Sequence, residues 1–178
     1  MRPERRNHVW SWDFVFDRTH NGRPIMLMVS IGEYTRGCLA VHVGRRARGK
    51  EAIDVFADLT EIHGIPEHIR SDKGPEMVAK TLQNWLGLLG TKTIYITPDS
   101  PWENGYCESF NGKLGMNIER RMFYTLQEAQ VQIDWWRPVL YNTKRPHSSL
   151  GYRPFEHEIN SIWYSAMLHL LVELTPRY

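Results

Sequence analysis

The sequence predicts an α/β protein built on a mixed five-stranded sheet that is flanked by helices. Two observations carry this prediction. Three strand-like stretches come first, joined by short turns, and helical and strand-like stretches then alternate along the chain. That order is typical of a mixed sheet covered by helices. A chain of 178 residues, of which 42% are hydrophobic, is long enough for one domain with a substantial core.

The first three strands are predicted from runs of β-branched, aromatic and long apolar side chains. They cover Val9–Phe16, Ile25–Gly32 and Cys38–Val43. The turn-forming pair Asn21 and Gly22 lies between the first two runs. An Asn-Gly pair and short connections favour an antiparallel meander.

Apolar spacing, together with the positions of glycine and proline, defines the later elements. In chain order these are a helix over Lys50–His63, a strand over His68–Ser71, a helix that opens at Pro75 and ends before Gly90, a strand over Lys92–Thr97, a helix that carries Glu108, and a helix over Leu126–Tyr141.

Charge and cysteine content restrict the function only weakly. The formal net charge of +2 is too small to establish a partner. Cys38 and Cys107 form no C-x-x-C pair, which argues against a zinc knuckle or a disulfide framework and fits a reducing cytoplasm. The first residues include no apolar signal region, and the apolar stretch 166–174 is too short to span a bilayer.

Three acidic residues in particular settings carry most of the functional information. Asp13 lies within an aromatic strand, Asp72 follows a short strand, and Glu108 lies on a helix, with 35 residues, 73–107, between the last two. Three converging carboxylates can hold two divalent cations roughly 3.5–4 Å apart and so act on a phosphate. Each acid also has an ordinary interpretation: a turn or ion-pair residue for Asp13, a helix cap for Asp72, and a solvated helix surface for Glu108.

The helix of Glu108 places amides beside that carboxylate. Asn104, Glu108 and Asn111 share one helical face, whereas Tyr106 and Phe110 point elsewhere. Amides on that face could position a phosphate or a water molecule.

Four longer motifs resemble the catalytic core of bacterial insertion-sequence transposases related to retroviral integrases. The resemblance covers about residues 7–154. Its motifs are Trp12-Asp13-Phe14-Val15, the stretch from Ile69 to Glu76 (IRSDKGPE), the stretch from Ser100 to Asn111 (SPWENGYCESFN), and the stretch from Tyr141 to Pro154 (YNTKRPHSSLGYRP).

This resemblance implies a ribonuclease H-like fold in which Asp13, Asp72 and Glu108 form the acidic catalytic triad. It implies two Mg²⁺ or Mn²⁺ ions, with Asp13 bridging them and the other two acids holding one each. The implied reactions are cutting at DNA element ends and strand transfer to a target. Our expected DNA-contacting residues are Lys73, Asn104, Asn111, Lys113, Arg145 and His147.

The resemblance also implies partners and a location. We expect a homo-oligomer assembled on DNA, associated with the bacterial nucleoid in the cytoplasm. The family's helix-turn-helix segments normally precede the core, so an upstream helix-turn-helix protein or fusion is a further expected partner. We assign residues 1–154 to the core and residues 155–178 to an amphipathic helical tail, whose apolar residues follow the i, i+3, i+4, i+7 pattern.

Two positions depart from the family pattern. Lys73 stands where the family usually has Asn after the second acid, and Gly115 stands where it usually has a basic residue. These departures leave open that the chain is an inactive truncated remnant that keeps a DNA-binding or assembly role. A second alternative is a ribonuclease H-type nuclease, which the fold and the metal pair would serve, although the motif over residues 141–154 points away from it.

Overall fold

The architecture is that of a computed structural model, which describes residues 1–46, 48–71, 76–96, 105–118, 123–147 and 150–155. The strands are β1 (Val9–Arg18), β2 (Pro24–Gly32), β3 (Cys38–Gly44), β4 (His68–Ser71) and β5 (Lys92–Tyr95). The helices are α1 (Gly49–His63), α2 (Glu76–Leu88), α3 (Gly105–Ile118) and α4 (Leu126–Trp136), and a π-helical segment over Arg137–Asn142 follows α4.

The five strands form one mixed sheet in the order β3-β2-β1-β4-β5. The first three strands pair antiparallel, as the meander prediction requires, with the β1–β2 register running from Trp10 opposite Gly32 to Arg18 opposite Pro24. β4 pairs with β1, and β5 with β4, in parallel. The predicted mixed five-stranded sheet is therefore confirmed.

Each face of the sheet has its own hydrophobic core. On one face, Trp10 and Trp12 of β1 pack with Phe56 of α1 and with Leu82 and Leu86 of α2. These five side chains are at most 1% exposed, so α1 and α2 are held on this face by burial of large apolar surfaces.

On the other face, alternate residues of β2 pack against α3 and α4. Leu27 and Val29 are fully buried there with Phe110 of α3 and with Ala129 and Ile133 of α4. Because successive strand side chains point to opposite faces, Ser11 and Asp13 of β1 point towards α3 rather than towards the tryptophans.

Glycine ends α1 as predicted, but the last helix differs from the prediction. Gly64 adopts a φ of 85° after α1 and donates its N–H to the Thr60 carbonyl. The helix predicted over Leu126–Tyr141 stays α-helical only to Trp136 and then widens into the π-helical segment. Pro138 explains the change, since it has no N–H to donate to the carbonyl four residues earlier.

Several predicted features lie outside the described residues. They are Asp72, Lys73, Pro75, Thr97, Asn104 and the tail from residue 156. Within the described ranges, Cys38 and Cys107 are buried free thiols. None of the helices in those ranges is long and apolar enough to cross a membrane.

Candidate active site

Asp13 lies in the middle of β1, opposite Val29 of β2, and is half-buried. Its two carboxylate oxygens have different partners. Oδ1 accepts the backbone N–H of Phe14 at 2.8 Å, and Oδ2 accepts the side-chain amide of Asn111 at 2.9 Å. The second bond joins residues far apart in the sequence and ties α3 to the central strand.

The sheet register brings the end of β4 to the level of Asp13. Ser71, the last residue of β4, pairs with Trp12 of β1. These residues immediately precede Asp72 and Asp13 in the sequence. The described part of β4 therefore ends beside Asp13, although Asp72 itself is outside the described residues.

Glu108 lies in the first turn of α3, where its side chain is exposed. Asn111 follows it by three residues, which places their Cβ atoms roughly 5–6 Å apart on one face of the helix. Because Asn111 contacts Asp13, the face that carries Glu108 is turned towards the same carboxylate. Phe110 and Leu114, both 1% exposed, hold the adjacent face of α3 against the core.

The chemistry of these side chains fits a divalent cation. The Oδ1 atom of Asn111 is buried and has no hydrogen-bond partner among the residues that the structure describes. An amide oxygen beside a carboxylate offers the oxygen ligands that Mg²⁺ and its bound water prefer. An unsatisfied acceptor is unfavourable in a protein interior, so a bound ion or its water would satisfy it.

Comparisons with known proteins agree with this geometry. Two models described as "Integrase core domain" match the chain, one over residues 3–101 and the other over residues 89–154. The first alone spans more than half of the sequence.

The chain belongs to the integrase core domain family.

Two relatives of this integrase core domain are proteins of bacterial insertion elements. The present chain is 33% identical over 151 residues to the uncharacterized 31.7 kDa protein of insertion element IS407 from Burkholderia multivorans. The matched region covers 84% of this chain and 54% of that protein. The chain is 34% identical over 149 residues to the uncharacterized 39.2 kDa protein of IS476 from Xanthomonas euvesicatoria, covering 83% and 43%. The chain thus spans about half the length of these relatives.

A solved structure of similar fold is the magnesium-bound, trimeric form of the HTLV-2 integrase catalytic core domain. The TM-score is 0.60 at 18% identity, over 85% of this chain and 95% of that one. A likeness at this identity shows the fold, and it confirms the predicted ribonuclease H-like class.

A buried ion pair supports the strand that carries Asp13, and the sequence analysis missed it. Arg70 of β4 donates to both carboxylate oxygens of Glu33, at 2.9 and 3.0 Å, and the Ser11 hydroxyl donates to the same carboxylate. Glu33 is 0% exposed and Arg70 is 2% exposed. Burial raises the pKa of Glu33, while the Ser11 hydroxyl and the Arg70 charge oppose that rise.

The buried polar cluster of Glu33, Arg70 and Ser11 lies close to Cys107 of α3. Burial, and then the negative charges of Asp13 and Glu33, raise the pKa of the Cys107 thiol. Cys107 is therefore a neutral packing residue beside the acids and not a nucleophile. The one signal for this network in the sequence is a charged residue inside the short apolar strand, Arg70, which does not identify its partner.

Three predicted DNA-contacting residues lie together on another side of α3. Lys113 donates to Ser109 Oγ at 2.9 Å, and it lies within electrostatic reach of Arg145 and His147. A fourth basic residue, Arg36 in the β2–β3 turn, joins them, and the sequence analysis did not single it out.

A different set of possible metal ligands lies at the start of β1. One ligand atom from each of His8, Glu67 and His68 falls within 4.8 Å of the other two. The Glu67 carboxylate accepts from Arg5, and His8 Nδ1 accepts the Glu4 N–H at 3.1 Å. Imidazole ligands favour zinc and similar ions over Mg²⁺, so this group must be controlled for in any metal-binding measurement.

Proposed function

We propose that this chain is the catalytic core of an insertion-element transposase that hydrolyses phosphodiester bonds at DNA ends and transfers the ends to a target. The observation that carries the proposal is the Asn111–Asp13 hydrogen bond. It brings the helix of Glu108 to the strand of Asp13, as an acidic metal site requires. The family membership supports the same reaction class.

In this proposal, Asp13, Asp72 and Glu108 would hold two Mg²⁺ or Mn²⁺ ions. Bound ions would lower the pKa of an attacking water or DNA hydroxyl and stabilise the charge on the leaving oxygen. The HTLV-2 catalytic core was solved in complex with magnesium, which supports the choice of ion.

The chain's own residues have separate tasks in this scheme. Asn111 fixes the rotation of the Asp13 carboxylate through Oδ2, and its own buried Oδ1 atom would accept a hydrogen bond from water held by a bound ion. The Phe14 N–H accounts for the other oxygen of Asp13. A carboxylate held at both atoms needs little reorganisation when the charge develops.

DNA would lie along the basic and amide side chains around α3. We assign Lys73, Asn104, Lys113, Arg145 and His147 to phosphate contacts, which position the duplex without reading its sequence. The main task of Asn111 is to position Asp13. We expect its only DNA contact to be with the phosphate that reacts.

Assembly on DNA is part of the proposal. We expect the active form to be a homo-oligomer, and the trimeric form named for the HTLV-2 core is a precedent within the fold. Because the chain spans only about half the length of these relatives, recognition of the element ends is assigned to a helix-turn-helix segment or partner outside this core. We expect the assembly at the nucleoid, where its DNA substrate would be.

The test is metal-dependent strand transfer with a duplex made from inverted repeats in the DNA on either side of the gene. The chain is assayed with Mg²⁺, with Mn²⁺ and with EDTA, alone and with a helix-turn-helix protein encoded upstream. Asp13→Asn, Asp72→Asn and Glu108→Gln are each expected to abolish product. Asp17→Asn is the matched control, since Asp17 lies on the same strand and makes the same kind of bond to the next backbone N–H.

Three results would contradict the proposal. Product that survives Asp72→Asn or Glu108→Gln would remove the acidic triad from the mechanism. Cleavage of RNA–DNA hybrids without any DNA strand transfer would indicate a nuclease. DNA binding without metal-dependent chemistry, even with the upstream protein present, would indicate an inactive remnant.

A further inference from the structure

Three basic side chains from separate segments surround one buried histidine. Arg36 comes from the β2–β3 turn, Lys113 from α3, and Arg145 from the segment that follows the π-helix. All three positive charges act on His147, which is only 6% exposed. Distant parts of the sequence therefore contribute to one positively charged cluster.

Aromatic rings hold this cluster in place. The Arg36 guanidinium lies 3.8 Å from the centre of the Tyr106 ring, which is close enough for a cation–π contact. Tyr141 donates its hydroxyl to the Arg36 carbonyl at 3.4 Å, and its ring lies 5.3 Å from the His147 ring. Arg145 lies 6.0 Å from the same tyrosine ring.

The segment that carries Arg145 and His147 is fixed to the sheet. The side chain of Asn142 accepts the N–H of Cys38 and donates to the Cys38 carbonyl, both at 3.0 Å. The N–H of Arg145 donates to the Leu140 carbonyl at 3.0 Å, and that of His147 to the Arg153 carbonyl at 3.2 Å. The positions of the charges are thus set by backbone contacts and not by flexible side chains alone.

The positive charges oppose one another's protonation. Burial, followed by the charges of Arg145 and Arg36, lowers the pKa of Lys113. Burial, followed by the charges of Lys113 and Arg145, lowers the pKa of His147 to about 4, while a hydrogen bond with the Tyr141 backbone opposes that change. Glu33 acts on Arg36 from the protein interior.

The two ring nitrogens of His147 have different surroundings. Its Nε2 atom is buried and lacks a hydrogen-bond partner within the part of the chain that the structure describes. The other ring nitrogen is left to make the bond with the Tyr141 backbone, so the neutral ring carries a bare lone pair at Nε2. A nitrogen of this kind can take up a proton when a negative charge is brought near the three cations.

We propose that Arg36, Lys113, Arg145 and His147 form a binding site for a DNA backbone phosphate, and that His147 Nε2 takes up a proton from solvent when the phosphate binds. The inference rests on the proposed function, because DNA is the polyanion that the core would meet. It adds Arg36 to the DNA-contacting residues and gives His147 a specific role.

The chemistry of the step is a protonation without any covalent change in the DNA. A phosphodiester brings one negative charge among the three cations and offsets their effect on the imidazole. One proton then moves from water or buffer to Nε2, and the positive charge of the imidazolium attracts the bound phosphate. No bond in the DNA is broken.

The phosphate held here is not the one that reacts. Lys113 follows Glu108 by five residues, which places it roughly 140° away around the helix axis. The site therefore holds a neighbouring segment of the duplex while the acids act on another. The site fixes the duplex in place, so it contributes to DNA affinity and not to the chemical step.

Two measurements test the inference in EDTA, where no chemistry can occur. The first is the salt dependence of binding to a short duplex for the parent, Lys113→Gln and Lys144→Gln. Lys144 is an exposed neighbour of Arg145 with the same charge, which makes it the matched control. Lys113→Gln is expected to weaken binding about tenfold and to reduce the slope of log affinity against log salt by about 0.9, with little change for the control.

The second measurement counts protons. Calorimetric titration with the duplex at about pH 6, in two buffers of different ionisation enthalpy, reports the protons taken up on binding. We expect uptake by the parent and by Lys144→Gln, and none by His147→Phe, which keeps a ring against Tyr141. The NMR titration of the His147 ring in the parent, with and without duplex, gives the same answer if that variant does not fold.

The outcomes separate this inference from the proposed function. DNA binding without proton uptake, or equal effects of Lys113→Gln and Lys144→Gln, would overturn the site while leaving the strand-transfer proposal intact. Proton-linked binding that persists in an Asp13→Asn chain without activity would support the site. A chain that binds no duplex at all would overturn it, whatever the metal-dependent assay shows.

Discussion

Asp13 and Asn111 are the residues whose contact defines the candidate site. Asp13 could be predicted as a site residue from the sequence, because a charged carboxylate inside an apolar, aromatic strand needs a partner that offsets the cost of its burial. The amide could be placed on the right helical face by its spacing from Glu108, but its bond to Asp13 spans 98 positions, a contact that local patterns do not specify.

Substitution of Asn111 tests the positioning role directly. Asn111→Ala removes a hydrogen bond to a charged group, worth about 1.5–3 kcal/mol, so we expect strand transfer to fall about ten- to a hundredfold. Single-turnover product formation at saturating metal measures it. Asn84→Ala, an exposed amide on α2, is the control and should leave the rate unchanged. An unaltered rate in Asn111→Ala would remove this residue from the mechanism.

Glu33 and Arg70 show what sequence patterns miss at single positions. Glu33 follows an apolar strand in a turn, where an exposed acid is the ordinary expectation, yet it is fully buried against Arg70. The Glu33–Arg70 pair can be identified only from the folded sheet, in which Ser11 of β1 lies between the turn that carries Glu33 and β4. Sequence patterns also did not identify Arg36 as part of the basic cluster, because its aromatic partner, Tyr106, is 70 positions away in the sequence.

Breaking this ion pair should be costly. Arg70→Met leaves the Glu33 carboxylate buried without its charge partner, and we expect a loss of about 3–5 kcal/mol in the free energy of unfolding. Lys50→Met breaks the exposed Lys50–Asp54 pair on α1 and serves as the comparison, with a far smaller loss expected. Urea unfolding at neutral pH measures both. Similar losses for the two variants would contradict the account of the buried pair.

Among the elements, α3 does the most for the site. Its buried stripe of Cys107, Phe110 and Leu114 fixes its rotation, so that Asn111 contacts Asp13 while Lys113 lies near the basic cluster. Helical spacing predicted that Asn111 shares a face with Glu108, but not that this face meets Asp13. The π-helical segment after α4 was not predicted, since Pro138 could equally have ended the helix.

Gly115 lies on the acidic side of α3, two residues beyond Lys113. A Cβ atom built there meets no heavy atom of the described residues within 4 Å, so larger side chains fit without strain. Gly115→Ala is expected to raise the free energy of unfolding by about 0.5–1 kcal/mol through helix propensity. Gly115→Lys should give a similar gain and also tighten DNA binding, since it restores a basic residue beside Glu108.

Chemical denaturation and the salt dependence of DNA binding measure the two effects of these Gly115 variants. The alanine variant separates helix stabilisation from charge. If Gly115→Lys bound DNA no more tightly than Gly115→Ala, the acidic side of α3 would not face DNA, and the proposed path of the duplex would be wrong.

The molecule as a whole should lose stability in mild acid. The pKa values of His63 and His147 are lowered to about 4, in both cases by burial first and then by nearby positive charges. An unfolded histidine titrates near 6.5, so the unfolded chain binds more protons between about pH 6.5 and 4. The free energy of unfolding therefore falls as pH falls through that window and levels off, for these two groups, below it.

Urea unfolding at pH 7 and at pH 5 measures this effect. We expect a lower unfolding free energy at pH 5, and a smaller pH dependence in His147→Phe. His20→Phe is the control, because His20 is exposed and lies against the Tyr124 ring. A pH dependence that is the same in all three chains would contradict the buried, neutral state of His147.

Architecture was more predictable than the site. The sheet, its antiparallel meander and its order of elements follow from short-range patterns that each strand carries itself. The site depends on where those strands and α3 meet, and only motif spacing gave the acids. The contact between Asp13 and Asn111, and the basic cluster behind α3, required the folded chain.

The central claim is that Asp13 and Glu108 belong to one divalent-cation site. Electron paramagnetic resonance of free Mn²⁺, titrated against the parent chain, tests it most directly. Asp13→Asn and Glu108→Gln should each weaken Mn²⁺ binding at least tenfold, while Asp17→Asn and His68→Ala, the latter at the separate His8–Glu67–His68 group, should leave it unchanged. Parent-like Mn²⁺ affinity in both acid variants, with the loss confined to His68→Ala, would contradict the account.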